Sequence, residues 1–201
     1  MKKYELLVED TITFLGVQLF RIKALISFSG IEKGEFGGYI ASEKNLSQSG
    51  NAWVSGNARV YGDARVSGNA RVSGNARVYG DAEVYGDARV YGNARVYGDA
   101  RVYGNARVYG NARVYGDAEV YGDARVYGNA DYIVFKNTWS SGRYFTYTKS
   151  NKKWRVGCFY GNGYELIEKA YKDSQKSGDF YKAYVEFVEK LEEIEKIHKD
   201  Q

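Results

Sequence analysis

Residues Gly80–Ala94 read GDAEVYGDARVYGNA, and the same fifteen letters return at Gly116–Ala130. From Gly50 to Tyr127 the chain is thirteen uninterrupted copies of Gly-(Asn/Asp)-Ala-x-Val-(Tyr/Ser), followed by a degenerate copy, GNADYI, at Gly128–Ile133. Within each copy alanine and valine are two apart. An extended backbone therefore points both to one side and sends the intervening arginine and the following tyrosine to the other. The Gly-Asn or Gly-Asp pair supplies residues that tolerate positive φ, which a sharp corner requires. Each copy thus makes one short strand and one corner. A single flat strand cannot bury its Ala/Val face, so successive strands must coil around a shared interior.

Laying the copies out in threes fixes the size of the coil. One column of corners reads Asp63, Asp81, Asp99, Asp117; the next reads Asn57, Asn75, Asn93, Asn111, Asn129; the last is mixed, Asn51, Asn69, Asp87, Asn105, Asp123. That sorting makes the structural repeat eighteen residues, and the recurring segment is one feature displaced by two turns. Three strands per turn describe a triangular prism of parallel strands about 4.8 Å apart, nearly five turns and roughly 22 Å long.

V-Y-G-N-A-R in tandem resembles the hexapeptide repeats of left-handed parallel β-helices, the fold of many bacterial acyltransferases and of gamma-class carbonic anhydrases. The left hand is implied by that resemblance and is an exception to the usual crossover rule. Glycine stands here two places after the aliphatic residue, where the family more often has it immediately after. The flanks LFRIKAL (Leu19–Leu25), KGEFGGYIASEKNLSQSGNAWV (Lys33–Val54) and YTKSNKKWRVGCFYGNGYELIEKAYKDS (from Tyr147) resemble the ends of uncharacterised hexapeptide-repeat proteins of bacteriophages and prophages. The resemblance implies a phage or prophage origin and, through the fold relatives, a homotrimer.

A solenoid exposes a strand edge at each end, so caps are expected. Residues 1–45 read as a β cap, with strands at Tyr4–Val8 and Val17–Ile22 and a glycine-rich turn, EKGEFGGYI, into the first coil. Residues 46–133 form the β-helix, and residues 134–201 read as a ββαα module, giving a mainly β chain. In that module Arg143–Thr148 and Trp154–Phe159 alternate around the polar turn SNKK and predict a hairpin. Asn162 and Glu165 have capping-box spacing, which starts a helix at Gly163 running to about Ser174. A second helix is expected from near Asp179, with the stripe Phe180, Tyr184, Phe187, Leu191 and Ile194 packing on its own domain.

Composition narrows the chemistry. The net charge of +4 permits an anionic partner but falls short of a dedicated nucleic-acid binder. The opening MKKYELLVED is too charged for a signal peptide, and no segment reaches the ~20 apolar residues of a membrane span, so a cytoplasmic location without membrane contact is expected. A single cysteine agrees with a reducing compartment. A single histidine, His198, near the end of a charged helix, excludes a three-histidine metal site and argues against acyl transfer. Nothing implies a cofactor. Cys158 alternates with Trp154 and Val156 along the expected strand, the pattern of a buried core residue.

The outward columns carry the functional reading. One face stacks Trp53, Arg71, Arg89, Arg107 and Arg125, followed two residues along by Tyr91, Tyr109 and Tyr127; a second stacks Arg59, Arg77, Arg95, Arg113 and Asp131. The third alternates Arg65, Glu83, Arg101, Glu119 and so neutralises itself. Four like charges in a column need relief. Cation-π contact with the tyrosines and pairing of Asp87 with Arg89 and Asp123 with Arg125 supply it internally; an anionic partner supplies it functionally. The columns predict a non-enzymatic protein whose Arg/Tyr faces bind an anionic partner, a nucleotide, nucleic acid or acidic protein patch; the resemblance implies in addition an oligomer that captures a host factor, a defence component included. Its alternatives are a degenerate acyltransferase, a cysteine-dependent activity near Cys158, and a structural part of a virion.

Overall fold

The computed structural model describes residues 1–199 and divides into two compact units, Met1–Asn151 and Lys152–Gln201. In the first unit, thirteen two-residue strands, β4 to β16, follow one another at six-residue intervals from Trp53–Val54 to Arg125–Val126. Strands three apart pair in parallel with a register of eighteen, as Arg71↔Arg89↔Arg107↔Arg125 and Arg77↔Arg95↔Arg113. The result is a parallel β-solenoid of three sheets, each turn giving one strand to each. Every alanine from Ala52 to Ala124 and every valine from Val54 to Val126 is at most 1% exposed. Each valine so buried contributes about 1.5–3 kcal/mol, and the small alanine beside it lets three strands close on a narrow interior.

Glycine makes the corners. At Gly86 φ is +68°, and an added Cβ would lie 3.0 Å from the Gly104 nitrogen one turn on, so conformation and space both demand glycine. The asparagines and aspartates beside it keep negative φ and serve differently from expectation. Their side chains bond along the column, Asn51 Nδ2 to Asn69 Oδ1 at 2.9 Å and Asn69 Nδ2 to Asp87 Oδ1 at 3.0 Å, while Asn57, Asn75, Asn93 and Asn111 form a ladder of amides.

Most hydrogen bonds between turns run forward, and the register of paired strands returns one per rung, from each valine N–H to the arginine carbonyl of the turn before. Each rung donates forward to the next turn, as Arg59 N–H does to the Ala76 carbonyl and Tyr61 N–H to that of Val78. The alanine carbonyls of the first turn and the arginine and glutamate N–H groups of the last therefore have no neighbouring rung, and buried backbone groups must be paired. The amino-terminal strands β1 (Tyr4–Phe14), β2 (Val17–Ala24) and β3 (Phe36–Ile40) bring donors to the first turn. Lys3 Nζ bonds the Ala52 carbonyl at 2.9 Å, Tyr39 N–H that of Ala58 at 2.9 Å, and Asn45 Nδ2 that of Ala64 at 2.9 Å. Burial, and next the Arg71 charge, push the Lys3 amine down to about 8.

The far end supplies acceptors. Arg113 N–H donates to Asn129 Oδ1 at 2.9 Å, Glu119 N–H to Thr146 Oγ1 at 2.9 Å, and Arg125 N–H to Ser150 Oγ at 2.7 Å. The degenerate copy GNADYI adds no further rung. It forms a turn at Asn129–Asp131 and enters β17 (Tyr132–Lys136), which pairs antiparallel with β18 (Tyr144–Thr148).

Two readings of the amino-terminal strands need adjustment. β1 continues past Val8 to Phe14 through a bulge between Leu7 and Thr11, and Leu15 and Gly16, at φ 50° and 78°, close the hairpin as a primed turn. EKGEFGGYI holds β3 as well as a turn, and β3 is already parallel to β5 (Arg59–Val60).

In the second unit β19 (Lys153–Val156) and β20 (Phe159–Gly161) form an antiparallel hairpin, followed by helices α1 (Gly163–Asp173) and α2 (Gln175–Lys199). The capping box is present: Glu165 N–H donates to Asn162 Oδ1 and Asn162 N–H to Glu165 Oε2. The expected single strand Trp154–Phe159 is broken at Gly157, φ 55°, which puts Cys158 on the turn and exposes it, contrary to its core pattern. α2 starts at Gln175, ahead of Asp179, and includes Gly178, where a Cβ would lie 2.1 Å from the Tyr171 ring and only glycine fits. The buried face of α2 is Tyr181, Val185 and Val188, one residue round from the expected stripe, and Phe180, Phe187 and Ile194 of that stripe are 39%, 51% and 43% exposed. Gly163 explains the choice, since any Cβ there would meet Val185 at 2.6 Å.

Thr146 is fully buried, and its hydroxyl is the acceptor named above for the Glu119 N–H. Thr146→Val keeps the shape and orphans that donor, so chemical denaturation should show a loss of about 1–3 kcal/mol; a loss near zero would mean that the edge bond is not needed.

Candidate functional site

The arginine column predicted on the first face lies on the sheet β4–β7–β10–β13–β16, with Trp53 at its foot. Trp53 is buried beneath the amino-terminal cap, its ring meeting Phe28 edge-on at 5.5 Å and Tyr4 at 6.4 Å. That contact brings the segment after Phe28 against the sheet. Arg71 Nη2 donates to the Ser29 carbonyl at 2.6 Å. Burial, followed by the neighbouring Arg89 charge, lowers the Arg71 pKa, with Glu35 acting in the opposite sense. Between this loop and the column is an open groove of about 730 Å³, lined by Ser29, Gly30 and Ile31 on one side and by Arg71, Arg89, Arg107, Ser73 and Tyr91 on the other.

Of the predicted site residues, Arg71, Arg89, Arg107 and Tyr91 are thus brought together. Arg125, Tyr109 and Tyr127 continue the same columns beyond the groove. Arg77, Arg95 and Arg113 lie on another sheet, where the cap intervenes again: the Phe14 ring sits 4.2 Å from the Arg59 guanidinium and 4.7 Å from that of Arg77.

The internal relief of the columns differs from expectation. Tyrosines stack on one another, Tyr61, Tyr79, Tyr97 and Tyr115 at 5.1, 4.9 and 5.4 Å, and Tyr91 on Tyr109 at 5.1 Å. Rings one turn apart are held at strand spacing, so the nearest partner of each is the next tyrosine. Asp87 and Asp123 accept from the amides of Asn69 and Asn105 in place of pairing with Arg89 and Arg125. The third face does neutralise itself: Arg101 lies 3.6 Å from Glu83 and 3.8 Å from Glu119. Sequence reasoning missed the Ser29–Ile31 wall, which depends on a contact between distant segments. It also passed over Ser73, although the break in the tyrosine column is visible in the letters.

The repeats themselves have a known counterpart. Residues 52–68, 58–73, 64–80, 70–86, 82–98, 88–104, 94–108 and 106–118 each match the family model of the YdcK beta solenoid repeat. Residues 52–118, a third of the chain, are similar to that repeat. The groove is thus built on the YdcK-type segment, with Arg71, Arg89 and Arg107 at equivalent positions of successive turns. Among curated proteins none matches the chain significantly. No helix of the described residues is long and apolar enough to cross a membrane.

The columns make opposite predictions for charge reversal. Arg89→Glu sets a carboxylate between Arg71 and Arg107, whereas Arg101→Glu sets a third carboxylate between Glu83 and Glu119. The first should raise thermal stability and the second lower it, each by some tenths to about 1 kcal/mol, and high salt should shrink both. Calorimetry at low and high salt reads the signs; equal signs would contradict the assignment.

Proposed function

We propose that this chain is a non-catalytic binding protein that holds an anionic partner in the groove between the Ser29–Ile31 loop and the arginine column. The observation that carries this reading is the stack of Arg71, Arg89 and Arg107 in one groove with a single carboxylate, Asp87, already engaged by an amide. The face with Arg101 shows that the same repeat accommodates glutamate where neutrality is wanted. A groove that keeps its positive charge is completed by a ligand's negative charge, and Arg and Tyr are residues favoured at binding surfaces.

The flanks' resemblance to phage and prophage proteins supports a host factor as the partner, a defence component included, met in the host cytoplasm. The fold relatives support a homotrimer, for which the exposed Phe187, Ile194 and Ile197 of α2 offer apolar surface. Affinity capture from host cells, with retained proteins and small molecules identified by mass spectrometry, tests the reading. The double variant Arg89→Glu/Arg107→Glu should lose the retained partner while its circular dichroism and melting stay those of a folded protein. Undiminished retention would remove the groove from the account.

A further inference from the structure

The tyrosine ladders are not equal in length. On the sheet of Arg77, Arg95 and Arg113 four rings run without a gap from Tyr61 to Tyr115. On the sheet of Arg71, Arg89 and Arg107 the ladder descends through Tyr127, Tyr109 and Tyr91 and stops, because Ser73 and Ser55 hold the next two positions in register. The missing ring falls inside the groove: Ser73 and Tyr91 both line it, beside the three guanidiniums. Tyr91 lies nearly parallel to Tyr109, at 8°, so its other face looks along the ladder toward the site that Ser73 leaves unfilled.

A ring at the end of a stack is a platform for one more planar group, such as a nucleic-acid base. The guanidiniums are placed for an anion attached to that group. Ser73 follows Arg71 by two residues, a span of about 6.6 Å along a strand, which is the order of the distance from a base to its own phosphate. We propose that the groove binds a free nucleotide, its base stacked on Tyr91 in the place of the ring that Ser73 lacks and its phosphate among Arg71, Arg89 and Arg107. This rests on the anion-binding reading above and adds the planar half of the ligand.

Calorimetric titration with AMP, adenosine, inorganic phosphate and a short single-stranded oligoadenylate tests it on the full chain. AMP should bind at least tenfold more tightly than adenosine or phosphate. Ser73→Tyr installs the ring that Tyr79 and Tyr97 already carry on the neighbouring sheet, so the variant should fold normally and lose tenfold or more in AMP affinity while phosphate binding is unchanged. Arg89→Glu/Arg107→Glu should lose both. AMP binding unaffected by Ser73→Tyr but abolished by the arginine pair would overturn the stacking proposal and leave the anion site standing. Insensitivity to both variants would overturn both, and binding of the oligonucleotide with none of AMP would overturn the free nucleotide as the ligand.

Discussion

The structure depends on the direction of its hydrogen bonds. In the coil each arginine and tyrosine N–H with a turn ahead of it reaches forward to a carbonyl there, so the alanine carbonyls of the first turn and the arginine and glutamate N–H groups of the last lack a partner rung. A parallel coil cannot satisfy its own ends, and unpaired buried amides cost about 1–3 kcal/mol each. The caps answer with matched chemistry. An ammonium, a backbone amide and a carboxamide meet the three opening alanine carbonyls, and a carboxamide and two hydroxyls meet the three closing N–H groups. Lys3 and Thr146 are polar and buried for this reason.

Capping also makes the candidate site. The amino-terminal segment has to reach the first turn, and Phe28 packs on Trp53, the residue that replaces arginine in the first copy. The chain leaving Phe28 then walls one side of the arginine column through the Ser29 carbonyl. Phe14 covers the foot of the second arginine column in the same way. The repeat alone gives uniform faces; the cap turns one of them into a groove.

How much of this the letters disclose follows from how local each decision is. The coil is legible because every six residues repeat one choice of inward alanine and valine, and because the sorted corners count its period. The self-neutralising face is legible for the same reason, since Arg101 meets the glutamates a turn away on each side. The contacts that fail to show in the sequence are those between segments far apart, such as Ser29 on Arg71 and Asn45 on Ala64. Periodicity also misleads where two faces satisfy it: α2 offers both Phe180/Phe187/Ile194 and Tyr181/Val185/Val188, and the space beside Gly163 selects the second. Alternation likewise placed Cys158 in the core because it could not foresee the turn at Gly157.

The whole account requires that residues eighteen apart be vertical neighbours. Adjacent strands place such Cα atoms about 4.8 Å apart, within disulfide range. In a Cys158→Ser background, Asn75→Cys/Asn93→Cys should therefore close an intramolecular disulfide under mild oxidation with the fold retained, whereas Asn75→Cys/Asp87→Cys, twelve apart, should not. Crosslinking of the twelve-residue pair, with the eighteen-residue pair left reduced, would contradict the structure and everything built on it.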